Sequence, residues 1–160
     1  MHTKNSLSTL LLSIVFLTGC ETTSLPLKTP LEIRAIQTRS FESDYNITFR
    51  SVVSVFQDLG YTIKSAELST GFIQAEGVSN SNEALKFWLG ATETTQTKAT
   101  GFVEEIAGKI NVRISFVKSV ESSTAYGAND RKETQILDVA VYQNAFERIE
   151  NAIFVRSSTN

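Results

Sequence analysis

The sequence predicts an α+β fold, a two-layer sandwich in which a mainly antiparallel sheet of about four to five strands is covered on one face by two helices. Three patterns carry that expectation. Tyr45, Phe49, Val52, Phe56 and Leu59 recur at spacings of 4, 3, 4 and 3, the period of a helix with one apolar stripe. Val139, Tyr142, Phe146, Ile149 and Ile153 repeat at 3, 4, 3 and 4, which predicts a second such helix. Between them Ile110, Val112, Ile114 and Phe116 alternate with Asn111, Arg113, Ser115 and Val117. One apolar and one polar face is the mark of a strand in an antiparallel sheet packed on a single side.

Taken in order, the chain opens on a polar, weakly basic start at His2, Lys4 and Asn5, followed by an apolar run over residues 10–17. That run has the length of a signal-peptide core and falls well short of the ~20 residues that span a bilayer. It closes on Leu17, Thr18, Gly19 and Cys20, and Cys20 is the only cysteine of the chain. This tetrapeptide resembles the lipobox of bacterial lipoproteins. The resemblance implies that Leu17, Thr18 and Gly19 are read by the signal peptidase, that residues 1–19 are removed, and that Cys20 is acylated as the new N-terminus. One acyl chain gives marginal membrane binding, whereas the two or three carried by such lipoproteins give stable attachment. Glu21 follows the cysteine, and by resemblance to enterobacterial sorting this implies the outer rather than the inner membrane.

Residues 20–30 are rich in threonine and proline without periodicity, and read as a lipid-anchored tether that reaches about 33–36 Å when extended. Residues 31–156 read as the single α+β domain, with 157–160 a disordered tail. Leu31, Ile33 and Ala35 alternate with their neighbours, which predicts a first strand over 31–41. Ser43 is the expected N-cap of the first helix, Asp44 sits in its first turn, and Gly60 ends it. Strands are expected over 61–68 and 72–78, joined by a short Ser69-Thr70-Gly71 loop as a hairpin. Residues 83–89 carry Leu85, Trp88 and Leu89 in a short helical spacing, with core burial the expected role of Trp88. Residues 91–100 read as a polar loop or strand edge, 102–106 as the start of a strand, and 109–120 as the clearest strand. Residues 122–133 read as an exposed connection, 134–137 as a brief pairing segment, and Asp138 as the cap of the second helix.

The segments Arg34-Ala35-Ile36-Gln37-Thr38-Arg39-Ser40-Phe41, Phe56-Gln57-Asp58-Leu59-Gly60-Tyr61 and Gly71-Phe72-Ile73-Gln74-Ala75 resemble a group of largely uncharacterised bacterial outer-membrane lipoproteins with QTRxF and QDLGY motifs. The element order also resembles the helix-grip modules of outer-membrane assembly lipoproteins. Neither resemblance carries catalytic residues onto this chain. Two accounts compete for Gln37, Arg39 and Asp58, the polar members of the shared motifs. In one they form a partner-binding patch. In the other Gln37 and Arg39 bond loop backbone, while Asp58, an acid in an electrostatically unfavourable last turn, pairs with a cation, for which the forked guanidinium of Arg39 is the natural choice.

Composition narrows function further. The chain of 160 residues has a formal net charge of −2 and 20% charged residues, without the basic patch or stripe a nucleic-acid binder needs. His2 is its only histidine and lies in the signal, so the mature domain lacks histidine and a free thiol. Serine–histidine and cysteine–histidine catalysis, zinc sites built from nitrogen and sulfur, and disulfides are thereby excluded. Neither a metal nor any other cofactor is expected. Glu104 and Glu105 form the only adjacent acidic pair, and a solvated turn or strand edge accounts for them. The sequence therefore points to a non-catalytic lipoprotein that binds or scaffolds an envelope protein at the periplasmic face of a membrane. The alternatives are a carrier or sensor of a hydrophobic small molecule or lipid, held between helix and sheet, and more distantly a carboxylate-dependent hydrolase. Mass spectrometry of the membrane fraction is expected to find a lipid-bearing N-terminal Cys20; an intact Met1 terminus would refute the lipobox reading.

Overall fold

The computed structural model describes residues 28–81, 92–124 and 129–159. The lipobox, most of the tether, the expected helix over 83–89 and Trp88 lie outside the described residues. Within them three helices and a seven-stranded antiparallel sheet form two layers, more strands than the four to five expected.

The first element is a correction. Residues 31–37 form a helix, α1 (Pro30–Gln37), and only β1 (Thr38–Phe41) is extended. The alternation of Leu31, Ile33 and Ala35 loses to a stronger local signal, a capping box with proline at its first turn. Thr29 Oγ1 accepts from the Glu32 amide at 3.3 Å, and the Glu32 carboxylate accepts from the Thr29 amide at 2.6 Å. The bond from the Thr29 amide, and then one from its hydroxyl at 2.8 Å, hold the Glu32 carboxyl below its ordinary 4.5. Thr29 and Pro30, placed in the tether by the sequence, belong to the cap and first turn of this helix.

Helix α2 (Tyr45–Asp58) is capped by Asp44, whose carboxylate accepts from the Ile47 amide at 3.0 Å; the expected cap, Ser43, is passed over. Thr48 and Ser51 are fully buried, yet their hydroxyls donate to the carbonyls of Asp44 and Ile47 one turn back, so neither hydroxyl is stranded. Strands β2 (Thr62–Glu67) and β3 (Phe72–Glu76) pair as the expected hairpin. Strand β4 (Asn80–Ser81) is a brief addition.

Of the two readings of the polar stretch, loop or strand edge, the strand holds: it is the front half of β5 (Thr92–Ile106), a 15-residue strand. It pairs along its whole length with β6 (Lys109–Ser123). Ala107 and Gly108, at φ 53 and 75, make the two-residue turn, whose positive dihedrals match the twist of the flanking strands. Strand β7 (Asn129–Gln135) begins earlier than the expected 134–137, and helix α3 (Val139–Ser158) follows its Asp138 cap. Residues 157–158, placed in the tail by the sequence, belong to this helix.

The sheet order is β1-β6-β5-β3-β2, with β4 also on β5 and β7 also on β6. Ile110, Val112, Ile114 and Phe116 face the helices, as their alternation predicts, and meet Phe49, Val52, Val55 and Phe56 of α2 and Tyr142, Phe146, Ile149 and Ile153 of α3. At Gly101 a side chain would meet Val52 and the Phe56 ring at 3.3–3.4 Å; a bare backbone lets α2 settle on the sheet.

Strands β1 and β7 share one edge of β6, pairing with residues 110–113 and 117–123. At the junction the Tyr142 hydroxyl accepts from the Phe116 amide at 3.3 Å and donates to the Ile136 carbonyl at 2.8 Å. Replacing Phe56, 0% exposed, by alanine is expected to cost about 3–5 kcal/mol, and Tyr142→Phe about 1–3 kcal/mol through stranded backbone groups. Denaturant midpoints unchanged from wild type in both variants would overturn this description of the core.

Candidate functional site

The three polar residues singled out by sequence do not form one patch. Gln37 is buried, and its Nε2 donates to Ser115 Oγ and to the Tyr142 hydroxyl, each at 3.4 Å. It bonds side chains of the core edge, not loop backbone. Arg39 lies on β1, its guanidinium 5.2 Å from the Phe146 ring centroid and 3.9 Å from Glu150 Oε2. Asp58 ends α2 and faces a different surface. The expected Arg39–Asp58 pair is therefore absent: α3 supplies Arg39 with an aromatic face and a carboxylate before it could reach α2. Cys20, Leu17, Thr18 and Gly19 lie outside the described residues. Glu104 and Glu105 are consecutive on β5, so their carboxylates point to opposite faces of the sheet and cannot act on one substrate atom.

Among the described residues an open groove of about 970 Å³ lies on the outer side of the helix layer, between α2 and α3. The two helices run antiparallel, since Leu59 at the end of α2 shares a recess with Ala140 and Val141 at the start of α3. Ile47 and Val55 from α2, with Ala152 and Val155 from α3, give the groove an apolar floor. Arg50, Arg148 and Arg156 rim it, and Asp44 and Asp58 stand at the two ends of α2. Asp44 is committed to its cap and Arg148 donates to Asn144 Oδ1 at 2.9 Å. Arg50, Arg156 and Asp58 have no ion pair among the described residues. Unpaired guanidiniums above an apolar floor are suited to bind a carboxylate-bearing, partly apolar protein segment. Sequence reading passed over this groove because it followed only the core stripes. The signal was present in Arg148, Ala152 and Val155, which repeat at 4 and 3 one position off the core stripe of α3.

The recess at the other end of the helices is smaller, about 420 Å³, and is lined by Leu59, Tyr61, Phe116 and Val141 among others. Burial, and then the neighbouring Tyr142, pushes the Tyr61 phenol above its ordinary 10.0, so it stays neutral and serves as an aromatic wall. Tyr61 packs between Phe56 and Phe116, at centroid distances of 6.1 and 5.9 Å.

Loss of the cation–π contact and the exposed Glu150 pair is expected to make Arg39→Ala cost about 0.5–1 kcal/mol. Asp58→Ala should be neutral or stabilising by about 0.3–1 kcal/mol, because it removes an unpaired acid from a helix C-terminus. Denaturation of the singles and the double decides: non-additivity would restore the Arg39–Asp58 pair. Compared with known proteins, the chain matches no family model and no curated protein.

Proposed function

We propose that this chain is a non-catalytic, lipid-anchored lipoprotein of the bacterial envelope, and that its α2/α3 groove docks a helix of a protein partner. The observation that carries the reading is the groove itself, where Arg50 and Arg156 have no carboxylate of their own among the described residues, above the apolar floor of Ile47, Val55, Ala152 and Val155. An amphipathic helix laid in a groove buries its apolar face, while its acids meet the guanidiniums. Acylated Cys20 would hold the domain at the periplasmic face, with the outer membrane favoured by Glu21 and by the resemblance to outer-membrane lipoproteins. The short tether keeps the groove within a few tens of ångströms of the bilayer, so its partner is an envelope protein and not a nucleic acid.

A second reading, carriage of a small hydrophobic molecule, is favoured by the apolar recess of Leu59, Tyr61, Phe116 and Val141. It predicts native lipid extracted with the purified chain. The docking reading predicts that crosslinking in intact cells captures a defined protein, and that Arg148→Glu with Arg156→Glu reduces capture about tenfold or more. Undiminished capture by that double variant would remove the groove from the function.

A further inference from the structure

The outer side of α3 carries two different stripes, one on each flank of the core stripe. Tyr142, Phe146, Ile149 and Ile153 repeat at 4, 3 and 4 and are buried against the sheet. Arg148, Ala152, Val155 and Thr159 repeat at the same spacing on the flank toward α2, where they line the groove. Gln143, Glu147, Glu150 and Phe154 repeat at 4, 3 and 4 on the opposite flank, which is fixed by the reach of Glu150 to Arg39 on β1. At about 100° per residue, these are three separate faces of one helix. Phe154 is 72% exposed, and Glu147 has no ion pair among the described residues.

The groove calls for a helix with carboxylates and an apolar knob, and the far flank of α3 is such a helix. Resting on the reading of the groove as a protein-docking site, we propose that its occupant is α3 of a second copy of this chain. The pairing is reciprocal, with each Phe154 seated on the other copy's apolar floor and each Glu147 facing the other copy's arginines. A two-fold interface needs a self-complementary surface, and here knob and hole lie on opposite flanks of the same helix.

The symmetry follows from that arrangement. An axis crossing α3 at right angles would set Phe154 flank against Phe154 flank. A two-fold axis along α3 sets each Phe154 flank over the other copy's groove. That axis also keeps every residue at its own height, so Glu147 meets the second copy at the level of Arg148, and Phe154 meets it at the level of Val155. The membrane anchor agrees independently. Lys28 Nζ donates to the Leu137 carbonyl at 2.8 Å, so the tether joins the domain at the N-terminal end of α3. An axis along α3 brings both tethers to one end, as two anchors in one bilayer require, and confinement to that bilayer raises the effective concentration of the partners.

Asn151 is exposed and lies between the two flanks, opposite the core stripe. The axis therefore passes beside it, and Asn151 faces its own counterpart. Cys20 is the chain's only cysteine and its sulfur is occupied once acylated, so an introduced thiol reports alone. Membranes from cells making the full, lipidated chain with Asn151→Cys should give a covalent dimer with a short bismaleimide, whereas Lys64→Cys on β2 should not. Phe154→Asp added to Asn151→Cys should lower the dimer yield about tenfold. Arg148→Glu should lower it as well, and Glu147→Arg together with Arg148→Glu should recover it, because the swap reverses both sides of each contact. The proposal is overturned by an Asn151→Cys yield no higher than that of Lys64→Cys, by a yield indifferent to Phe154→Asp, or by a charge swap that recovers nothing. Capture of a different protein at Asn151→Cys, without a dimer, would overturn the second copy and leave the docking reading standing. A thiol that links to nothing would remove both.

Discussion

The hydroxyl of Tyr142 is the point on which the architecture turns. Strand β6 is 15 residues long, and no single strand covers its outer edge. Strands β1 and β7 divide that edge and leave a gap opposite Ile114, Ser115 and Phe116. A backbone donor or acceptor stranded there, beside the buried core, would cost on the order of 1–3 kcal/mol. The Ile136 amide satisfies the Phe116 carbonyl at 2.9 Å, and the phenol takes the Phe116 amide. The same oxygen accepts from Gln37 and donates to the Ile136 carbonyl, while its ring lies 5.4 Å from that of Phe116. One side chain thus joins α1, β6, the segment after β7, and α3. Gln37, singled out from a shared motif, owes its burial to this junction.

Where one pattern dominated its neighbours, the sequence was a sufficient guide. The stripes of α2 and α3 and the alternation of β6 each specify a face, and burial of a face is the largest favourable term available to them. The failures have equally local causes. In α1 the alternation of Leu31, Ile33 and Ala35 competed with Thr29, Pro30 and Glu32, and two reciprocal hydrogen bonds outweighed a pattern whose side chains are mostly exposed. In the front half of β5, threonines on both faces left no alternation to read, although their branched β-carbons suit a strand. Strand β7 is exposed at every position; it exists because β6 offers it a ladder, a fact its own residues do not encode. The Arg39–Asp58 pairing failed for a topological reason, since α3 lies between the two elements and supplies Glu150 and Phe146 first.

The candidate groove was less legible than the fold because grooves arise between elements. Each stripe on α2 and α3 is explained by its own core contacts. The space on their outer side depends on how far apart the two helices settle, and that separation is set by the side chains beneath them and by the close approach at Gly101. Only the offset stripe of Arg148, Ala152 and Val155 hinted at it. A charged-apolar-apolar repeat on a surface helix ordinarily means long stems lying over aliphatic neighbours, and nothing in the sequence separates that case from a docking face.

The charges of the helical face bear on that choice. On the sheet, several charges pair within the chain. Lys98 reaches across β6 to Glu133 at 3.1 Å, Arg131 holds both Glu133 and Glu121, and Lys64 pairs with Glu76. The Glu133 carboxyl is held below its ordinary 4.5 by the hydrogen bond and charge of Lys98, with Arg131 adding to both effects. These exposed pairs contribute little to stability, and the charged edge of β7 discourages strand addition. On the outer side of the helix layer Arg50, Arg156, Asp58 and Glu147 stand without ion pairs among the described residues. Free charges of both signs beside the apolar floor of Ile47, Val55, Ala152 and Val155 are what the docking reading requires.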